Sequence, residues 1–143
     1  MMQMTWQFWA LASAGFAALT AILAKVGVTD VPSDSATLVR TVVILVLVAL
    51  IAFLSREGFS PAKISARSYV FLVLSGLATG ASWLCYFRAL KLGDAARVAP
   101  IDKLSVVLVA IFATLFLGEH LSAPNWLGVG LMAAGAVLLA WRG

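Results

Sequence analysis

An aspartate and a lysine, Asp102 and Lys103, stand side by side in an apolar stretch that runs from about Ala95 to Gly118. Charged side chains in so apolar a segment usually face a cavity, a substrate path or an ionic partner. Successive residues project about 100° apart on a helix, so these two side chains are not expected to neutralise each other. Each is expected to need a partner elsewhere, and Arg40 and Arg88 are the candidates for Asp102.

Two interpretations of this charged segment stay open. In the structural one, Asp102 belongs to an ion pair and the lysines extend their ammonium groups to the lipid headgroups. In the functional one, the charged residues form a gate or a substrate cavity, and nearby aromatic rings stack on an organic substrate. The residues predicted to line the cavity or gate are Arg40, Trp83, Tyr86, Asp102, Lys103 and Ser105.

Catalytic and metal chemistry find little support in the sequence. Cys85 is the single cysteine and His120 the single histidine, so neither a disulfide within the chain nor a metal-ligand cluster of the usual spacing is expected. No nucleophile is paired with a base, which makes an intramembrane enzyme the least supported class. The prediction is a protein without catalytic residues, metal or cofactor.

The composition indicates a membrane protein. Hydrophobic residues make up 63% of the chain and charged residues only 11%, whereas soluble domains carry roughly 25% charged residues. The net charge of +4 comes from lysines and arginines at the ends of apolar runs, where they anchor helices to headgroups. The expected partner is therefore the lipid bilayer and not a nucleic acid.

Apolar runs separated by polar turns predict an all-α membrane protein with five transmembrane helices. The run from Trp6 to Ala24 carries no charge and is long enough to cross a hydrocarbon core of about 30 Å. Pro100 lies inside the fourth run and removes the amide donor for the carbonyl of Ala96, so a kink or local unwinding is expected there. The five predicted spans are about 6–26, 38–55, 69–91, 95–118 and 124–141.

Glycines in two of the predicted spans favour close helix packing. Small residues at the surface of a membrane helix let a second backbone approach closely, and a pair spaced four residues apart is the common form. The predicted packing residues are Gly76 and Gly80 in the third span, and Gly128, Gly130 and Gly135 in the fifth.

The basic residues give only a weak orientation signal. One side of the membrane receives three of them, Arg56, Lys63 and Arg67. The other side receives Lys25, Lys91, Arg97 and Arg142, and also Arg40, Arg88 and Lys103 if these count as loop residues. The positive-inside rule reads orientation from the difference between the numbers of basic residues on the two sides. Here that comparison ranges from 4 against 3 to 7 against 3, so the orientation is weakly encoded.

Charged residues from the first four spans are expected on one side of the membrane. They are Lys25, Arg40, Arg88, Asp102 and Lys103, with a combined charge of +3. This excess suits an anionic or zwitterionic substrate better than a lipophilic cation, although the loop residues Asp30, Asp34 and Asp94 offset part of it.

Several short motifs make the chain similar to the EamA domain of the drug/metabolite transporter superfamily. They are Ala89-Leu90 with Gly93, the segment from Val98 to Ser105 with Pro100, and Leu117-Gly118-Glu119. The resemblance covers the whole chain as one EamA-like domain, residues 1–143. It implies a secondary-active transporter, an exporter of small metabolites, amino acids or drug-like molecules, in the bacterial inner membrane.

Members of that family typically join two such domains in opposite orientation around a central cavity. This sequence supplies one domain, so the resemblance implies an antiparallel homodimer with alternating access. The smaller four-span multidrug exporters, which are also similar, carry a proton-exchanging glutamate in span one. Span one here has no acid, and only Asp102 could bind a coupling proton or other ion. The alternative function is a non-transporting membrane subunit that scaffolds or regulates a larger complex.

Overall fold

The computed structural model describes residues 6–55 and 64–141, and these residues form α-helices joined by turns, without a β-strand. Five helical segments among them are long and apolar enough to cross a membrane, which confirms the predicted all-helical, five-span architecture. The described helices are α1 (Trp6–Gly27), α2 (Ser33–Leu54), α3 (Ala66–Leu92), α4 (Ala95–Asp102), α5 (Ser105–Phe116) and α6 (Ala123–Ala140).

Two helices begin earlier than the apolar runs that predicted them. α2 starts at Ser33, directly after Pro32, and the hydroxyl of Thr37 donates to the Ser33 carbonyl at 2.8 Å. α3 starts at Ala66 because the Ser65 hydroxyl oxygen accepts a hydrogen bond from the Ser68 amide at 3.1 Å and so caps the first turn. Polar first turns therefore extend both helices beyond their apolar segments.

Some residues used in the orientation argument lie outside the described part of the chain. Arg56 and Lys63 of the second connection, and Arg142 at the end of the fifth span, are among them.

The fourth span is two helices, α4 and α5, separated at Lys103 and Leu104. Here the amides of Leu104 and Val106 donate to the carbonyls three residues earlier, those of Ile101 and Lys103, both at 3.0 Å. A regular α-helix would use the carbonyl four residues earlier. Such tight turns are typical of interrupted helices. A proline disturbs the turn that precedes it, whereas this interruption follows Pro100, so the missing amide of Pro100 alone does not account for it.

The chain forms two compact units. The continuous unit covers residues 24–91 and contains the last turn of α1, all of α2 and nearly all of α3. The discontinuous unit combines the earlier part of α1 with the residues from 92 onward, and within it α6 packs against both α4 and α5.

Burial in the continuous unit is concentrated at one end of its helices. Val28, Phe87 and Leu90 are almost completely buried, at 1%, 3% and 0% exposure. Toward the middle of the spans the side chains are exposed, as Leu45 and Leu77 are, both at 67%. Lipid tails solvate such side chains as well as a protein interior does, so this exposure carries no hydrophobic penalty in a bilayer.

Lysine side chains join the helices at this buried end. The Lys25 ammonium donates to the Leu90 carbonyl at 2.7 Å, and the Lys91 ammonium donates to the Val31 carbonyl at 2.8 Å. Leu90 lies in the last turn of α3, where carbonyls lack an amide donor from their own helix. Lys25 therefore caps α3 and also places a positive charge at its negative end.

We expect Lys25→Met to lower the melting temperature of the purified protein in detergent. The substitution removes a partly buried, charge-assisted hydrogen bond, a type worth about 1.5–3 kcal/mol. The matched control is Arg88→Gln, which removes an ion pair with Asp34 whose side chains are 67% and 65% exposed and which is worth about 0–1 kcal/mol. Equal melting temperatures for the two variants would contradict the capping role of Lys25.

Candidate functional site

A cation packed on aromatic rings lies between α2 and α3. The guanidinium carbon of Arg40 is 4.4 Å from the ring centroid of Trp83 and 5.4 Å from that of Phe87. Trp83 and Phe87 are four residues apart on α3, so their side chains lie on the same face of the helix. Together they form a two-ring platform that holds the Arg40 guanidinium through cation–π attraction.

Tyr86 extends the aromatic group next to this platform. Its ring centroid is 6.5 Å from that of Phe87, with the two planes at 70°, an edge-to-face arrangement that aromatic pairs favour. Arg40, Trp83 and Tyr86, all proposed from the sequence as cavity or gate residues, are half-buried here. Sequence reasoning missed Phe87 as a member of this site, although its position four residues after Trp83 was a usable signal.

The ends of α1, α2 and α3 bring four cationic side chains to the same end of the continuous unit, which we call the cationic end: Lys25, Arg40, Arg88 and Lys91. Two aspartates, Asp30 and Asp34, belong to the same part of the unit. Asp34 forms the ion pair with Arg88 at 3.5 Å. Two positive charges therefore remain in excess among these six residues.

Asp102 and Lys103 contact each other at the interruption of the fourth span. The Lys103 ammonium lies 3.4 Å from a carboxylate oxygen of Asp102, with side-chain exposures of 57% and 35%. The expectation that neighbouring residues would need separate partners is therefore wrong for this pair. It assumed regular helix geometry, whereas α4 ends at Asp102 and the chain turns at Lys103. The ion-pair partner of Arg88, a candidate for Asp102, is Asp34.

Ser105 and Pro100 lie on either side of this interruption. Ser105 is exposed as the first residue of α5, and Pro100 is half-buried inside α4. The structure therefore places Pro100, Asp102, Lys103 and Ser105 in one short segment of the discontinuous unit. It places Arg40, Trp83 and Tyr86 in the continuous unit.

The five glycines predicted to mediate helix packing have open space around them. A Cβ atom added at any of them would meet no described heavy atom within 4 Å, apart from its neighbours and its own helix backbone. The described residues of each unit therefore do not fill the space at these glycines, and their role in helix packing stays a prediction. These residues are Gly76, Gly80, Gly128, Gly130 and Gly135.

Metal-binding side chains are not grouped in the part of the chain that the structure describes. No three histidine, cysteine, aspartate or glutamate residues there lie close enough to hold an ion. The sole cysteine, Cys85, is an exposed free thiol on α3. Each unit thus presents one candidate group for chemistry: a guanidinium on aromatic rings in the continuous unit, and a carboxylate–ammonium pair at a helix interruption in the discontinuous unit.

Comparison with known proteins finds one family model and several relatives that match this chain. The family model described as "EamA-like transporter family" matches residues 4–141. An "Uncharacterized transporter in cobO 3'region" from Sinorhizobium is 66% identical over 139 residues, which cover 97% of this chain and 99% of the relative. No solved structure matches the chain.

More distant relatives match about half of the chain. A "Probable 4-amino-4-deoxy-L-arabinose-phosphoundecaprenol flippase subunit ArnE" from Aeromonas hydrophila is 35% identical over 69 residues, 48% of this chain and 60% of the relative. The protein of the same name from Yersinia pestis is 30% identical over 72 residues, 50% of this chain and 63% of the relative.

These matches agree with the five apolar helices and point to transport and not to catalysis. The family match covers nearly the whole sequence, including both segments that carry charged residues within the spans. The chain is an integral membrane protein that belongs to the EamA-like transporter family.

Proposed function

We propose that the protein is a secondary-active transporter that exports small metabolites, amino acids or drug-like molecules across the bacterial inner membrane. The observation that carries this proposal is the family match over residues 4–141 of a chain with five candidate spans. The Sinorhizobium relative, which is named a transporter, is matched over 99% of its own length. In this proposal the five-span chain supplies one half of the transporter.

The second half in this proposal is another copy of the chain, inserted in the opposite orientation. Transporters with inverted repeats place the substrate between the two halves and alternate access by rocking one half against the other. Two features support an antiparallel homodimer: the weak charge bias of the connections and the open space at the glycines of α3 and α6. Open glycine positions allow a second helix backbone to approach closely.

The interrupted fourth span supports a role in coupling. Irregular backbone at membrane depth is tolerated where it is buried in protein or lines a water-filled cavity. The interruption between α4 and α5 carries Asp102, whose carboxylate is about two-thirds buried and pairs with Lys103. In the proposed cycle this carboxylate binds the coupling proton or ion, and Pro100 and the turn after it allow the span to flex.

Opposite insertion of two copies predicts that the C-terminus is found on both sides of the membrane. Two reporters fused after Gly143, one active in the cytoplasm and the other in the periplasm, should both give signals of comparable strength in bacterial cells. The control is Arg67→Glu, which removes one of the three basic residues counted on its side of the membrane, in the first turn of α3, and should shift the ratio of the two signals. Activity from only one reporter would exclude the self-sufficient inverted dimer.

The coupling role predicts that Asp102→Asn abolishes transport or its pH dependence while the dimer still assembles. An amide keeps the shape of the side chain but neither ionises nor attracts the Lys103 ammonium. The measurement is current on solid-supported membranes with a panel of amino acids and aromatic carboxylates at several pH values. The control is Asp34→Asn, which neutralises an exposed aspartate outside the interrupted span. Unchanged currents and pH dependence in Asp102→Asn would reduce Asp102 to a structural role.

The second candidate function is a membrane subunit that scaffolds or regulates a larger complex. The observation that favours it is the word "subunit" in the names of the ArnE relatives, which are 30–35% identical over about half of the chain. This function predicts one fixed orientation and no change in thermal stability with small molecules. It also predicts that neutral replacements at Asp102 and Lys103 are tolerated.

A further inference from the structure

The geometry around Arg40 points to an anion-binding site, and we infer that its guanidinium anchors a carboxylate or phosphate group of a ligand whose apolar part contacts the rings of α3. As a statement about transported substrates, this inference rests on the proposed function. The anion binding itself is measured without transport. It depends on three features of the continuous unit: the pairing of its charges, the geometry of the stack and the position of Arg40 along α2.

The first feature is the distribution of partners among the charges. Asp34 is paired with Arg88 at 3.5 Å, and the ammonium groups of Lys25 and Lys91 donate to backbone carbonyls. The Arg40 guanidinium contacts ring faces, and within the described residues of the continuous unit no carboxylate lies in ion-pair distance of it. Its charge is thus stabilised by aromatic quadrupoles without being neutralised there.

The second feature is the geometry of the aromatic stack. A guanidinium is planar, carries five N–H donors around its edge and stacks on aromatic rings through its face. The Arg40 guanidinium carbon lies 4.4 Å from the Trp83 ring centroid, and a guanidinium that packs on a ring through its face keeps its edge donors for an acceptor. Carboxylates and phosphates match that edge in a bidentate arrangement.

The third feature is the position of Arg40 within its span. Arg40 is seven residues after the start of α2 at Ser33, which is about 10 Å along the helix axis. The apolar segment of this span begins at about residue 38, so Arg40 lies near its boundary, where a soluble anion or a lipid headgroup can reach the guanidinium. The two excess positive charges of the cationic end add attraction for such an anion.

A second arginine in the same unit provides a matched comparison. The guanidinium carbon of Arg67 is 5.9 Å from the ring centroid of Phe71. Arg67 is the second residue of α3 and is exposed, so it lies at the end of a span where arginines commonly reach the headgroups. An Arg67 substitution thus removes an arginine–aromatic contact of similar chemistry without touching the proposed site.

The test uses purified full-length protein in nanodiscs made of phosphatidylcholine. Binding of benzoate and phenyl phosphate is measured by isothermal titration calorimetry, with benzamide as the neutral analogue of benzoate. We expect benzamide to bind about tenfold or more weakly than benzoate, since a hydrogen-bonded charge contact is lost. Arg40→Gln should weaken both anions by at least about tenfold. Arg40→Lys, which keeps the charge without the planar fork, should lie between, and Arg67→Gln should match the wild type.

A parallel set of nanodiscs identifies the source of the anion. If phosphatidylglycerol abolishes benzoate binding and co-purifies with wild type but not with Arg40→Gln, the site exists and a lipid phosphate fills it. If phosphatidylglycerol leaves benzoate binding unchanged, the site selects a soluble anion. The inference is overturned if benzamide binds as tightly as benzoate, if Arg40→Gln binds the anions normally, or if the wild type binds neither anion nor phosphatidylglycerol.

Folding and transport are assessed separately from binding. If Arg40→Gln fails to fold, Arg40→Lys decides the question, because unchanged anion affinity in that variant contradicts bidentate recognition. Solid-supported membrane currents then separate the two proposals. Arg40-dependent anion binding without any current leaves the site in place and contradicts the transport function. Currents that Arg40→Gln carries as well as the wild type support transport and overturn the substrate anchor.

Discussion

The hydrogen bond from the Lys25 ammonium to the Leu90 carbonyl, 2.7 Å long, joins two helices of the continuous unit at its buried end. It crosses 65 positions of sequence and joins the last turn of α1 to the last turn of α3. The bond satisfies a carbonyl that the helix cannot satisfy itself and places a cation where the helix dipole is negative. The neighbouring contacts, Arg88 with Asp34 and Arg40 with Trp83, lie at the same end of the unit.

This arrangement separates two kinds of charge. At the cationic end, basic side chains are held by carbonyls, one carboxylate and aromatic rings, so positive charge is retained among largely apolar helices. At the interrupted fourth span, an aspartate and a lysine pair with each other and cancel. The excess positive charge of the cationic end favours the attraction of an anion, as the proposed Arg40 site requires. The Asp102–Lys103 pair is the place to which the proposed transport cycle assigns its coupling group.

The apolar exterior explains why so small a chain has so few buried side chains. In water, exposed residues such as Leu45 and Leu77 would oppose solubility, whereas in a bilayer lipid tails contact them without penalty. Within the described residues, the helices of the continuous unit are joined by a few polar contacts and by close packing at one end, and those of the discontinuous unit by the packing of α6 against α4 and α5. Among the described residues, no heavy atom beyond the helix's own backbone and the chain neighbours lies within 4 Å of a Cβ built on the glycines of α3 and α6, and in the proposed dimer a second copy packs on these faces.

Composition and the spacing of apolar runs determined the fold class and the number of spans, because a bilayer requires about 20 apolar residues for each helix whatever its neighbours are. The sequence also indicated the residues of interest, among them Arg40, Trp83 and Asp102. Only the tertiary structure decided their partners. Arg40 contacts Trp83 and Phe87, and Asp102 pairs with Lys103 at the point where α4 ends. Partner choice depends on where helix ends meet and where the backbone departs from regular geometry, and neither is encoded in the local pattern of apolar and charged residues.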